Sequence, residues 1–303
     1  MDHLWIVVVL VAAAMQTGRN AGQKHLSGHM SALAATWVRF GFGLPFAFGY
    51  LAWALLWFDL SAPALAPSFL IPAAIAAFIQ IAATLLLIFL FRMRNFAVGS
   101  TYVRSETIMA AILGSLVFGE TIDYYGWLAI LISVTGVLIL SWARAGANWM
   151  ESLGSLMSAS AGVGLLAGLG FALSSFFIRE ASLSFGHSNF YITASITLMT
   201  VILLQTVCLG LFIVMTSRDD VAKIIRLWKP SLFVGATSAF GSMCWFTAMT
   251  IQRVTYVKAL AQIEFIFALS VSILFFNERP TQNECVGMIL VAFGIVVLVL
   301  FAE

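Results

Sequence analysis

Five ionisable side chains stand where such groups are costly. Arg39, Arg104, Glu106, Lys258 and Glu264 each lie within a long run of apolar residues. At the centre of a membrane-spanning helix an Asp, Lys or Arg costs ~2.5–3.5 kcal/mol even on a lenient insertion scale. A charge kept there needs a partner or a task. Two carboxylates facing one desolvated space can take up a proton or hold a cation between them, whereas a purely structural carboxylate bonds to a neighbouring helix. A basic group beside them adds a place for an anion. A cavity of both signs suits a zwitterion, with its carboxylate on Arg104 or Lys258 and its ammonium on Glu106 or Glu264. A ligand-free network of ion pairs would use the same residues. Arg39 stands early in its run, where a long side chain snorkels its head to the interface.

Polar and aromatic residues extend this set. Gln16, Arg19, Asn20, Gln23 and Lys24 recur at helical spacing and give the first run one polar face, fit either to line a cavity or to emerge into headgroups. For Lys24 the headgroup reading is preferred. Residues four apart share a helix face, so Lys258 and Gln262 form one stripe, and Ser100 and Arg104 another. No acidic residue stands three or four positions from Arg104. Its counter-charge must come from another helix, with Glu264 the first candidate. Trp37, Trp53, Trp57, Trp245 and Phe246 could wall a cation site, although aromatics in membranes more often pack or anchor at interfaces. Trp245 lies deepest. His25 and His29 have the spacing of a metal pair but no accompanying cysteine or carboxylate, and read as a solvated loop. No metal and no cofactor is expected. The chain has no His-Glu-x-x-His or Gly-x-Ser-x-Gly motif, so it is not read as an enzyme.

The elements that position these residues follow from composition. Of the residues, 62% are hydrophobic and only 9% charged, against about 25% charged in soluble proteins. Surface facing lipid accounts for the difference. A bilayer core of ~30 Å needs ~20 apolar residues as helix, because backbone polar groups there must be satisfied within the segment. Runs of that kind fall at 4–24, 32–57, 67–91, 96–118, 122–142, 160–179, 189–216, 230–251, 254–276 and 282–301. They predict ten spans, the first of them a span and not a leader. The net charge of +2 comes from 15 basic and 13 acidic residues placed mostly in short connections, and implies no nucleic-acid partner. Cys208, Cys244 and Cys285 read as small core residues.

Shifting the first half by 158 positions superposes landmarks without a gap: Pro72 on Pro230, Glu106 on Glu264, Phe118-Gly119-Glu120 on Phe276-Asn277-Glu278, and Gly136 on Gly294. Aliphatic positions match by chance, but two mid-span carboxylates and two Phe-x-Glu endings do not. The chain is therefore two related five-span halves, 1–142 and 160–303, joined by a polar linker at 143–159. An odd number of spans per half inverts the second, an architecture of secondary transporters with substrate sites between repeats. Glu106 and Glu264, each ten residues into its span, would lie ~15 Å deep, at equal depth beside a central cavity. Gly164 and Gly168 form a small-xxx-small step whose default use is packing within the chain, with a dimer contact the alternative.

Through its paired halves, the Trp37-Val38-Arg39-Phe40 opening of the second span and the two Phe-x-Glu endings, nearly the whole chain resembles the ten-span drug/metabolite transporter superfamily, in particular its EamA-like permeases and exporters. It departs from that pattern in ending Phe301-Ala302-Glu303 without a basic tail and in a first span only loosely like the sixth. The resemblance implies a transporter or exporter and says hardly anything of the substrate; with the charged residues above, the expectation is secondary transport of a small polar or amphipathic metabolite such as an amino acid, outward and coupled to protons, in the inner membrane of a bacterium, as monomer or dimer. Export of multidrug-type quaternary cations is the alternative, and a non-transporting structural subunit the alternative of another class. It also implies cytoplasmic termini. Arg92, Arg94, Arg144, Arg218, Lys223, Arg226, Lys229 and Arg279 all fall on the side opposite the termini, which the positive-inside rule makes cytoplasmic. The two readings of orientation conflict.

Overall fold

The computed structural model describes residues 3–59, 63–93, 103, 105–145, 159–186, 189–267 and 281–302, with side chains omitted at 140–145, 218 and 284. Every regular element among them is helical: α1 (Leu4–Ser27), α2 (Ala32–Gly41), α3 (Leu44–Phe58), α4 (Pro67–Met93), α5 (Glu106–Leu116), α6 (Tyr124–Ala145), α7 (Ala159–Leu183), α8 (Phe190–Thr216), α9 (Arg218–Arg226), α10 (Trp228–Ile251), α11 (Val254–Leu260) and α12 (Gln282–Phe301). Six stretches, α1, α2 with α3, α4, α7, α8 and α10, are long and apolar enough to cross a membrane; α5, α6 and α12 add shorter apolar lengths. The fourth and ninth predicted spans lie partly outside the described residues, as do Ser100, Arg104, the Phe276-Asn277-Glu278 triplet and most of the linker.

The helices repeat with the sequence. Under the shift of 158, Ala32–Phe58 maps onto Phe190–Thr216, and α4, which ends at Met93, onto α10, which ends at Ile251. Packing is reciprocal as well. The broadest interfaces are α1 with α10, its counterpart α7 with α4, and α6 with its own counterpart α12. Each half is thus built against the other, as exchange about a twofold axis requires. Lipid tails are as apolar as the side chains, so helices in a membrane associate through close packing of small residues. A Cβ on Gly22 would meet Val234 at 2.6 Å in the α1–α10 crossing, and one on Gly170 would meet Ala83 at 2.9 Å in the α4–α7 crossing.

The two repeat-marking glycines lie in the α6–α12 crossing. A Cβ on Gly136 would come within 2.7 Å of the Gly287 carbonyl, and one on Gly294 within 2.2 Å of Ser133 Oγ and 2.8 Å of the Ala129 carbonyl. Backbone cannot yield as a flexible side chain can. Gly294→Val is therefore expected to destabilise the fold by about 1–3 kcal/mol through overpacking. The thermal unfolding midpoint of purified protein measures this; an unchanged midpoint would show that the crossing is not tight.

Two predicted features differ. The second span is not one helix, because Phe42 and Gly43 interrupt it between α2 and α3. Pro45, at the second position of α3, lacks the N–H an unbroken helix would use. The break also lets Gly235 of α10 approach, since a Cβ there would lie 2.4 Å from Phe42 Cβ. The charged connection after the seventh run is itself a helix, α9. Val221, Ile224 and Ile225 make its apolar face, with Asp219 and Asp220 in its first turn and Lys223 and Arg226 in its last, matching the helix dipole at both ends.

Candidate functional site

Between the halves lies a cavity of about 60 Å³ whose walls include Gln16, Arg19 and Asn20 of α1, Arg39 of α2, Gln80 of α4, Glu106 of α5, Trp245 of α10 and Lys258 of α11. Each arrives by ordinary helix geometry. Gln16, Arg19 and Asn20 follow at i, i+3 and i+4, the spacing of one face. Glu106 starts α5, where Gly168 of α7 leaves room for it: a Cβ on Gly168 would stand 3.2 Å from the Glu106 amide nitrogen. Of the Gly164–Gly168 step, Gly168 thus packs within the chain.

Glu106 forms an ion pair with Lys258. Thr107 Oγ1 donates to the Lys258 carbonyl at 3.2 Å, which fixes α5 against α11. The Lys258 ammonium also lies 5.3 Å from the centre of the Trp245 ring, within cation–π range. Glu264, 4% exposed, lies behind the wall and is reached through amides. Gln16 Nε2 donates to its Oε2 at 2.9 Å, and Asn20 Nδ2 to its Oε1 at 3.4 Å. Among the described contacts, then, one of the equivalent carboxylates meets an ammonium and the other accepts from two amides.

The orientation of both amides is dictated from their far ends. An indole N–H and a guanidinium can only donate. Trp245 Nε1 donates to Gln16 Oε1 at 3.1 Å, and Arg19 Nε and Nη2 donate to Asn20 Oδ1 at 3.1 and 2.8 Å. Gln16 and Asn20 must then turn their nitrogens toward Glu264. Both Glu264 oxygens face donors, an arrangement suited to an acceptor-only carboxylate.

Several expectations need correction. Arg39 does not snorkel: it is 4% exposed, lines the cavity, and donates to Ser238 Oγ at 3.0 Å and Thr84 Oγ1 at 2.9 Å. The helix break after it and its inward face, not its distance along the run, decide its surroundings. Gln262 does not line the cavity. It sits in a 3-10 turn, Ala261–Ile263, whose tighter winding takes it off the Lys258 stripe, and its buried amide has no hydrogen-bond partner among the described residues. Of the aromatics, Trp245 and Phe246 reach the cavity. Trp53 and Trp57 are exposed, stacking with Tyr50 and each other, while Trp37 donates to the Thr206 carbonyl at 2.9 Å beside a separate apolar groove. His25 belongs to α1 and not to a loop, its ring 4.9 Å from that of His29. Lys24 does not end in headgroups but donates to the Phe91 carbonyl at the end of α4. Arg104 lies outside the described residues, and with it the expected pairing to Glu264.

Glu120 had signalled only the repeat. Its Oε1 accepts from the Val254 N–H at 2.8 Å, and its Oε2 from the Thr255 N–H at 3.1 Å and from Thr255 Oγ1 at 2.8 Å. It thus caps the start of α11 from the other half and faces Arg179 Nε at 3.9 Å. The Phe-x-Glu ending is legible as a cap only once the halves are paired. Arg179 in turn donates to the Met249 carbonyl, the position that the 158-residue shift pairs with Phe91. In each half, then, a basic side chain from the first helix holds the same carbonyl near the end of the third. Glu120→Ala is expected to cost about 1–3 kcal/mol, the penalty for orphaned buried donors, read as a lower unfolding midpoint. No change would show the cap to be incidental.

The EamA-like transporter family matches residues 3–142 and again 159–300. The chain belongs to the EamA-like transporter family. Each match coincides with one half of the repeat, consistent with the drug/metabolite transporter superfamily. With its long apolar helices, this makes the chain a multi-pass integral membrane protein of a transporter family. A solved crystal structure, described only as that of a protein, is similar with a TM-score of 0.70 and 12% identity over 98% of this chain and 96% of that one; at that identity the likeness speaks for the fold alone. No curated protein matches the chain.

Proposed function

We propose that this EamA-like protein is a secondary active transporter that moves a small zwitterionic metabolite, of the amino-acid class, through the cavity between its ten-span inverted halves, outward and coupled to protons. One observation carries the reading: the polar links around the cavity join one half to the other. Gln16 and Asn20 reach Glu264, Gln16 meets Trp245, Glu106 meets Lys258, and Arg39 meets Ser238. Rocking one repeat against the other must remake these links, so whatever binds them biases the motion.

Size supports a small cargo. A water needs roughly 10–15 Å³ of such space, so the cavity of about 60 Å³ has room for roughly four to six waters or a ligand of about as many heavy atoms. A bulky lipophilic cation would need a different conformation. Both signs of charge on the wall suit a zwitterion, and the acceptor-only setting of Glu264 suits a carboxylate whose protonation would break a link. The test is counterflow of labelled small amino acids in proteoliposomes holding the purified chain. Exchange that saturates and is absent from empty liposomes is expected. A panel in which no amino acid exchanges would overturn the proposal.

A further inference from the structure

Among the described residues, one buried cation of the cavity has no carboxylate bonded to it. Arg39 is almost fully enclosed, and its polar partners, Thr84 and Ser238, are neutral hydroxyls. A guanidinium carries five N–H donors, so two bonds leave three unused. The described carboxylates of the site are engaged elsewhere, Glu106 by Lys258 and Glu264 by Gln16 and Asn20. Arg19, also on the cavity wall, lies near enough to repel Arg39. A buried charge set against a like charge and given only neutral protein partners is disfavoured.

The scaffold does not require this arginine. Under the shift of 158, Thr84 corresponds to Ser242 and Gln80 to Ser238, so the pocket around Arg39 is built from equivalent positions of α4 and α10. Arg39 itself corresponds to Thr197, which is fully buried and donates to the Thr193 carbonyl within its own helix. The same place in the second half is thus filled by a small neutral residue. Packing two repeats together explains a threonine there and leaves the arginine unaccounted for.

We infer that Arg39 is the docking group for the carboxylate of the transported molecule, held by the guanidinium fork with Thr84 and Ser238 fixing its plane. A planar fork matches a carboxylate through two parallel bonds, which Lys258, already paired with Glu106, does not offer. This rests on the transport reading and moves the carboxylate from Arg104 or Lys258, where the sequence placed it, to the second span.

The experiment uses the full chain in detergent and in proteoliposomes, with the small amino acids glycine, alanine, serine and threonine and the carboxamide of each. A ligand that binds the folded state raises the unfolding midpoint. At least one acid is expected to stabilise the wild type while its amide does not. Arg39→Gln should weaken binding of that acid roughly 10–100-fold, the worth of a charged hydrogen-bonding partner. Arg39→Lys, which keeps the charge and loses the fork, should fall between and serves if the glutamine variant does not fold. The inference is overturned if acid and amide stabilise equally, if no acid stabilises, or if an Arg39 variant binds the acid as the wild type does. Counterflow in the same preparation separates the two failures: exchange of amides or amines without acids leaves transport standing and removes the role of Arg39, whereas no exchange at all removes transport itself.

Discussion

Replacing Lys258 with methionine is expected to abolish transport and to destabilise the protein by about 3–5 kcal/mol, the usual consequence of removing one partner of a buried ion pair. Lys258 and Glu106 are only 12% and 15% exposed at their side chains, so the carboxylate left behind has little water to turn to. The change also removes the ammonium from the Trp245 face. Glu106→Gln is expected to fail in the mirror sense, leaving the lysine without its anion. The double variant decides what the pair is for. Removing both charges together is often neutral for stability, so Lys258→Met with Glu106→Gln should recover most of the lost unfolding midpoint and none of the transport. Single variants with wild-type midpoint and flux would show that the pair neither holds the halves together nor serves the cargo.

The second large effect concerns coupling. Glu264→Gln keeps the volume of the side chain and removes its titration. It also places an amide where both flanking groups donate, since Trp245 and Arg19 hold Gln16 and Asn20 with their nitrogens toward it. One of the two links to α1 must therefore be lost. Each pH unit across the membrane is worth ~1.36 kcal/mol per proton carried, or roughly tenfold accumulation. The wild type should concentrate its substrate up to that ratio under a one-unit gradient. Glu264→Gln should approach no accumulation while retaining counterflow, which needs binding and rocking but no proton. Wild-type accumulation in this variant would make Glu264 structural.

What was legible in the chain follows from what each signal measures. Long apolar runs and the 158-residue shift report on backbone in lipid, and the ends of α4 and α10 agree with them. Gln16, Asn20, Trp245, Glu106 and Lys258 were named because polar groups are costly in such runs, and they share the cavity wall. Arg39 was misplaced for a physical reason. A helix flanked by lipid on one side and protein on the other is apolar all round, so periodicity does not tell which face turns inward, and position along a run is not depth within a fold. The break at Phe42–Gly43 goes with Pro45, which the sequence shows, and with the close approach of Gly235, which only the tertiary structure shows. Gln262 failed because the stripe assumed regular winding and the chain tightens there. α9 was missed although its signals were present: Val221, Ile224 and Ile225 at helical spacing between acidic and basic ends. Its charge alone marks a connection between spans.

The central claim, that substrate passes through the cavity between the halves, is tested most directly at Ser242. This small residue lines the cavity and occupies the position that corresponds to Thr84 in the other half. With Cys208, Cys244 and Cys285 replaced by serine, Ser242→Cys supplies one thiol on the cavity wall, and a small methanethiosulfonate reagent is added to proteoliposomes during counterflow. Modification is expected to stop exchange, and saturating transported amino acid is expected to slow the modification. Full labelling with flux intact, or a labelling rate indifferent to the amino acid, would contradict it.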